Sequence, residues 1–253
     1  MQNIFTIIEK EKSQLATHDL IKWITTSDQP LTFVPAMTFF VLGFRDVLSY
    51  IKRTNPKDFW DHSINVHCDE DANHWQWFIE DLQKIGVKET LWGNDFSELL
   101  TITWSEMGYA SRDMIYTLVH YAKVNSDPFV NLAMIESLEA AFAVFINALL
   151  PQIENRGWQN DLRYFGSRHH EDESNHALGT WVGEKVIDND LKNIFLNDIQ
   201  KAQANFIVHE IFQKFHTVFE SWFNQKDKFQ GRFTPINPFI VSPQLEFQAN
   251  LSN

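Results

Sequence analysis

Apolar residues recur at steps of three and four along most of this chain, and almost no stretch alternates with period two. This pattern predicts an all-α protein, built as a single bundle of about seven helices. No linker is evident, so residues 1–225 are expected to form one domain. The predicted helices cover about residues 2–26, 31–53, 58–85, 95–123, 128–154, 159–185 and 190–224.

Turn-forming residues mark the ends of several predicted helices. Asp127 and Pro128 have the residue types of an N-cap and a first-turn proline, so a helix is expected to begin there. Gly108 falls inside another helical stretch, which predicts one bent helix or two short ones. Three prolines follow residue 225 and exclude a further helix. Residues 226–253 are therefore expected to form an extended C-terminal tail that packs on the domain through Phe233, Phe239 and Phe247.

The composition indicates a folded protein with a large aromatic core, since 44% of the residues are hydrophobic and the chain contains 22 Phe and 9 Trp. The net charge of −12 argues against nucleic acid or an anionic membrane as a partner, because such binding needs a basic surface. No secretory signal pattern is visible, and the longest apolar run, residues 140–150, is too short to span a bilayer. The single cysteine, Cys68, permits no internal disulfide. We expect a cytoplasmic protein.

Two segments share the pattern H-x-[DE]-[DE]-[DE]-x-N-H, namely HCDEDANH at 67–74 and HHEDESNH at 169–176. In each, two histidines and one acid follow the apolar stripe of a predicted helix. These are His67, Asp71 and His74 in the first segment, and His169, Glu173 and His176 in the second. Burying such groups without partners costs on the order of several kcal/mol, and a bound cation removes that cost. The alternative is a solvated acidic turn, but the recurrence in phase with the stripe favours a metal site.

The helix predicted at 128–154 offers acids to the same interior. Glu136 and Glu139 lie three residues apart among apolar residues, where carboxylates without a ligand are costly. Two neighbouring metals need a bridging carboxylate, and we favour Glu136 for it. Glu139 is then a further ligand, a nearby base or a residue at the helix edge. Imidazoles combined with carboxylates suit iron, manganese or zinc better than calcium or magnesium.

The segment Glu173-Ser-Asn-His176 matches the Glu-x-x-His element of ferritin-like diiron proteins, and Asp71-Ala-Asn-His74 matches it with Asp in place of Glu. An extra histidine one turn before each element departs from ferritin. A glutamate also stands about 33 residues before the second segment, within LAMIESLEAAF. With these features, residues 15–225 resemble the heme-oxygenase-like diiron oxidases and oxygenases.

The resemblance implies a heme-oxygenase-like fold that holds two non-heme irons, with manganese or a mixed Fe/Mn pair as the alternative. It implies that O2 is activated there to oxidise a small amino-acid-like or fatty-acid-like substrate, with Glu136 and Glu173 as the catalytic carboxylates. The first carboxylate of the family is not cleanly matched, so His67 ligates in its place or else Glu70 or Asp71 does. The other implied ligands are His74, Glu136, His169, Glu173 and His176.

Other interpretations of the chain are a ferritin-like or mononuclear metal-binding protein and a non-catalytic helical scaffold. A heme ligand at His18 is disfavoured, because no glycine-rich helix is present to admit a porphyrin. Cys68 lies off the interior stripe and is expected to be an ordinary small residue rather than a nucleophile. The expected partners are O2 and a small molecule, with neither nucleic acid nor a membrane, and a homodimer is a further option.

Overall fold

The computed structural model describes residues 1–85, 96–169 and 191–229. Within these ranges the chain forms α-helices and short 3-10 helices, and none of the described residues lies in a β-strand. The predicted all-α class is therefore confirmed. The predicted C-terminal tail lies outside the described residues except for a 3-10 helix at Lys226–Phe229.

The longer helices of the described residues follow one another in chain order. They are α1 Gln2–Leu15, α2 Asp19–Thr26, a 3-10 helix Val34–Met37, α3 Thr38–Ile51, α4 Phe59–Asp71, α5 His74–Lys84, α6 Phe96–Trp104, a 3-10 helix Glu106–Gly108, α7 Tyr109–Val124, α8 Pro128–Glu154 and α9 Asp198–Gln225.

Helix α8 is the central element, because it packs against α9, α1, α2 and α4, and most of its side chains are buried. It begins as predicted: the Asp127 carboxylate accepts the backbone N–H groups of Phe129 and Val130, and Pro128 occupies the first turn. The helix ends at Glu154, and Gly157 follows with a φ of 71°, a conformation that favours glycine. The bend expected at Gly108 is also present, between α6 and α7.

The third predicted helix is not continuous. Helix α4 ends at Asp71 and α5 begins at His74, with Ala72 and Asn73 in a turn between them. Asparagine is a weak helix former, because its side chain competes for backbone hydrogen bonds. The prediction of one helix over 58–85 was therefore wrong at this point. The break falls inside the first of the two histidine- and acid-rich motifs.

Two other predicted helices differ from their expected ranges. Residues 158–166 form turns, and a helix starts only at residue 167, because the buried Asp81 carboxylate accepts three backbone N–H groups from this stretch. Residues 191–193 are helical as predicted, but residues 194–197 are not, and α9 begins only at Asp198, where Asn197 and Gln200 form a capping box.

The N-terminal regions are also divided where one helix was expected in each. His18 separates α1 from α2, and a 3-10 helix precedes α3. The Nδ1 atom of His18 accepts the backbone N–H of Leu20, so this histidine is the N-cap of α2. Local capping thus ends one helix and begins another within a stretch for which the apolar period alone predicts a single helix.

Two segments are long and apolar enough to cross a membrane by length and composition, Val34–Ile51 and Pro128–Glu154. The most apolar window of the second is 83% buried inside the protein, and that of the first is 50% buried. A core helix of a soluble protein meets the same criterion as a membrane span. The second segment is α8, whose apolar surface packs against the surrounding helices.

An aromatic cluster joins α9 to the other side of the bundle. The Trp222 ring stacks near Phe33 with centroids 6.2 Å apart, and its edge-on contact with Phe40 spans 5.8 Å. The indole N–H of Trp222 donates to the Ser111 hydroxyl on α7 at 3.1 Å, so the buried polar atom has an acceptor. These contacts hold the end of α9 against α3 and α7, beside a cavity that α3, α8 and α9 line.

Candidate metal centre

Three ionisable side chains from α4 and α8 meet inside the bundle: His67, Asp71 and Glu139. Their exposed fractions are 1%, 5% and 6%. The His67 Nε2 atom lies 3.0 Å from Asp71 Oδ2 and 3.4 Å from Glu139 Oε1. One ligand atom from each residue lies within 4.8 Å of the other two. His67 and Asp71 can meet in this way because they are four residues apart on α4 and share one face.

The spacing of these atoms fits a transition metal. Bonds of about 2.1 Å place two neighbouring ligand atoms about 3.0 Å apart at a right angle, and about 3.4 Å apart at the tetrahedral angle. The two distances from His67 Nε2 have these values. A single cation between the three side chains would also neutralise carboxylates that are otherwise costly to bury. The residues present therefore fit a bound cation with mixed nitrogen and oxygen ligands.

A second pair of ligand atoms lies beside this cluster. His74, the first residue of α5, places Nδ1 at 3.1 Å from Nε2 of His169. The other nitrogen of His169, Nδ1, lies 2.8 Å from the backbone oxygen of Tyr164. Since a carbonyl oxygen only accepts, Nδ1 of His169 carries the hydrogen, and in the neutral ring Nε2 has the free lone pair. His169 thus presents to His74 a nitrogen whose lone pair can accept a hydrogen bond or bind a cation.

Asp71 connects the two groups. Its Oδ2 atom faces His67 at 3.0 Å, while its Oδ1 atom lies 3.8 Å from His74 Nδ1. The turn between α4 and α5 allows this arrangement, because it separates the residues that end one helix and begin the next. A carboxylate that faces two groups of ligands can bridge two cations.

Aromatic rings hold both imidazoles in place. His74 stacks on Trp77 with ring centroids 4.4 Å apart. The Arg163 guanidinium lies 4.3 Å from the centre of the same Trp77 ring. His169 lies 4.7 Å from Phe142 and 4.6 Å from Tyr164, measured between ring centroids. These contacts restrict rotation of the imidazoles, so their nitrogen atoms stay directed at one another.

Asp81 is a residue of this region that the sequence patterns did not single out. Its carboxylate is fully buried and accepts the backbone N–H groups of Arg163, Tyr164 and Phe165 at 2.8 to 3.0 Å. Burial raises the pKa of Asp81 to about 6, against the opposing effect of these three donors. The carboxylate thereby fixes the turn whose Tyr164 carbonyl orients His169. One signal was available, because Asp81 follows Phe78 by three residues on the apolar stripe.

The other predicted site residues have different positions. Glu136 is buried, with 2% exposure, one turn before Glu139 on α8, and it is not one of the three clustered residues. Glu70 is exposed, whereas His67 and Asp71 of the same turn point into the cluster. Glu173 and His176 lie outside the described residues. The structure thus brings together His67, Asp71, His74, Glu139 and His169.

Cys68 has the environment expected of a structural residue. It is 2% exposed and belongs to the hydrophobic core. Burial, with a further contribution from the nearby Asp71, raises the pKa of the Cys68 thiol to about 12. The thiol therefore stays protonated at neutral pH, which disfavours nucleophilic chemistry at this position.

A cavity between α3, α8 and α9 opens beside the ligand atoms. Most of its described lining is apolar and comes from side chains such as Phe40, Phe44, Leu138, Phe142, Phe215 and Phe219. Asp71, His74, Glu139 and His169 line the same cavity. These ionisable side chains thus border a mostly apolar, partly open cavity, the kind of space in which proteins hold small molecules.

No protein-family model matches this chain, and no curated protein matches it significantly. The motifs and the geometry of the described residues are therefore the basis for any statement of function.

Proposed function

We propose that this chain is a non-heme dinuclear-iron enzyme that uses O2 to oxidise a small organic substrate. The observation that supports this proposal is the buried meeting of two carboxylates and three imidazoles beside an apolar cavity. Such a ligand set suits iron or manganese, and an apolar cavity keeps water away from a reactive centre. The resemblance of the motifs to heme-oxygenase-like diiron oxidases supports the same reaction class.

The proposed ligands divide between two positions. His67 and Glu139 would hold one iron, His74 and His169 the other, and Asp71 would lie between them. Glu173 and His176, from the second motif, would complete the second position, and Glu136 would supply a further carboxylate. When bound, the iron pair supplies the binding and reduction of O2 that no amino-acid side chain provides.

The chain itself contributes orientation and exclusion of water. The Tyr164 carbonyl holds the Nδ1 hydrogen of His169, so the opposite nitrogen is available as a ligand. Phe142 and Trp77 hold the two imidazole rings in place. The aromatic walls of the cavity keep the substrate next to the ligand atoms and limit the access of water.

Metal counting tests the proposal. The purified protein is loaded with Fe(II) under anaerobic conditions, iron per chain is measured, and the absorption spectrum is recorded after O2 is added. We expect two irons per chain and a new near-ultraviolet or visible band. His67→Ala and Glu139→Gln should each reduce the iron content. His62→Ala is the matched control, because His62 lies on the same helix but is exposed.

The rival functions give different results. One iron per chain would favour a mononuclear metal protein, for which His67, Asp71 and Glu139 alone form a complete set of three ligands. Iron uptake far above two per chain would favour a storage protein. No iron binding, with the same result in all variants, would leave a helical scaffold and would contradict the proposal.

A further inference from the structure

The cavity beside the candidate metal centre has one cationic side chain in its described lining, Arg45. Arg45 is exposed, while Met37, which directly precedes α3, and Val41, one turn before Arg45 on α3, line the same cavity and are buried. Helix α3 therefore runs from the closed part of the cavity to its rim. The guanidinium of Arg45 lies at that rim, 5.9 Å from the centre of the Trp75 ring.

Arg45 differs in its contacts from Arg53 and Arg163, two other arginines near the site. Arg168 also lies over an aromatic ring, that of Trp77, but it is not among the described lining residues of the cavity. Arg53 lies 3.4 Å from the Asp61 carboxylate and Arg163 lies 3.8 Å from Glu80. Among the described residues, no acid forms an ion pair with Arg45. Its guanidinium instead lies over the Trp75 ring. A guanidinium held over an aromatic ring keeps its donors available for an anion.

A second hydrogen-bond donor of the lining also has no acceptor. The Nε1 atom of Trp75 is buried and has no hydrogen-bond partner among the described residues. A buried indole N–H normally finds a partner, and leaving it without one is unfavourable. Trp75 lines the cavity and its ring is the one beside the Arg45 guanidinium, so this donor belongs to the same part of the lining as Arg45.

We infer that the cavity binds an amphipathic monocarboxylate, with its carboxylate at Arg45 and its apolar body between the phenylalanine side chains. The carboxylate then stays at the rim, and a carbon of the apolar body, rather than the carboxyl group, lies beside His74 and His169. A guanidinium and a carboxylate form paired hydrogen bonds, which fixes the direction in which the ligand enters. Binding of the monocarboxylate itself requires no metal. The inference rests on the proposed function only where it takes this ligand to be the substrate that is oxidised.

Binding to the metal-free protein tests the inference. Octanoate, octanol, octylamine and octyl phosphate are titrated separately into protein treated with a chelator, and heat or tryptophan fluorescence is recorded. We expect octanoate to bind most tightly. Arg45→Gln should weaken octanoate about tenfold, as the loss of a hydrogen bond to a charged group predicts. Octanol binding should be unaffected by this change.

The matched control is Lys123→Gln. Lys123 is an exposed cation that lies 5.5 Å from the centre of the Tyr50 ring, so the substitution removes an equal charge from a similar setting outside the cavity. Arg45→Lys keeps the charge but loses the planar pair of donors, and we expect an intermediate affinity. Melting temperatures measured for every variant ensure that a loss of affinity is compared between folded proteins.

Several outcomes would overturn the inference. These are equal affinity for octanoate and octanol, tighter binding of the amine or the phosphate, equal losses in the Arg45→Gln and Lys123→Gln variants, and no binding of any probe. Failure of the proposed function is a separate result, because it is detected by the iron content and the O2-dependent spectrum. Octanoate binding that depends on Arg45 in a protein that takes up no iron would support the ligand and reject the enzyme.

Discussion

Asp81 shows how one side chain far from the ligand atoms can determine their geometry. Its carboxylate binds the backbone of residues 163–165, and the carbonyl of Tyr164 in turn orients His169. Without this acceptor, three backbone N–H groups near the core would lose their partner, which is unfavourable. The residue therefore links the end of α5 to the candidate metal centre.

Replacement of Asp81 by Asn should destabilise the fold by about 2 to 4 kcal/mol, because the amide retains one acceptor oxygen for three donors. The loss should depend on pH. The pKa of Asp81 is about 6 in the folded protein against 3.8 for the ordinary group. Folding thus takes up a proton between pH 4 and 6, and the wild-type protein gains stability there as pH falls. Urea unfolding should show that the free energies of unfolding of the wild type and of Asp81→Asn differ more at pH 5 than at pH 7. The same difference at both pH values would contradict this role of Asp81.

Asn131 is the opposite case, a polar residue in the apolar α8 with 1% exposure. Neither its Nδ2 nor its Oδ1 atom has a hydrogen-bond partner among the described residues. Asn131→Leu keeps the branching at Cγ and removes this cost, so we expect the free energy of unfolding to rise by about 1 to 2 kcal/mol. Thermal or urea unfolding measures the change. A clear decrease in stability would show that the amide has a partner such as a buried water.

At the scale of the element, the cap of α2 carries a titratable group. His18 accepts the Leu20 N–H through Nδ1, which requires the neutral ring. Burial, with a further effect of the nearby His216, lowers the pKa of His18 below 6.5. Near pH 6.5 and below, the His18 ring binds a proton more readily in the unfolded chain than in the folded protein. This residue therefore reduces stability as pH falls.

His18→Asn should remove that dependence, because an asparagine oxygen caps the helix without titrating. We expect the wild-type melting temperature to fall more steeply than that of the variant between pH 7 and pH 5.5. His62→Asn is the control, since His62 is exposed and does not cap a helix. Parallel curves for wild type and His18→Asn would show that this cap does not contribute to the pH dependence.

At the scale of the whole molecule, the candidate ligands come from α4, α5, α8 and the segment before residue 170. A metal bound by all of them connects elements that are far apart in the sequence. Ligand binding to the native state alone stabilises it by about 2.7 kcal/mol when the free ligand is at one hundred times its dissociation constant. We therefore expect Fe(II) to raise the stability of the whole fold.

The expected increase in melting temperature is roughly 5 to 10 °C for a chain of this length. A chelator should reverse it, and Glu139→Gln should abolish most of it. Glu70→Gln is the matched control, because Glu70 is exposed while its neighbour Asp71 lies in the cluster. An equal Fe(II) effect in both variants would exclude Glu139 as a ligand.

The sequence by itself determined the helical class and singled out candidate residues for a metal centre. The apolar period of three to four places His67 and Asp71 on the interior face of one helix, and burial of acids in α8 follows from its nearly continuous apolar composition. The capping residues Asp127 and Pro128 likewise fixed the start of α8 from local chemistry alone.

Only the tertiary structure decided which of these residues meet. The sequence favoured Glu136, but the angular position of α8 against α4 brings Glu139 to His67, and helical period alone cannot resolve two glutamates one turn apart. The turn that Asp81 holds before His169 depends on hydrogen bonds between distant segments. Such bonds form only when the chain is folded, so no local pattern in the sequence encodes them.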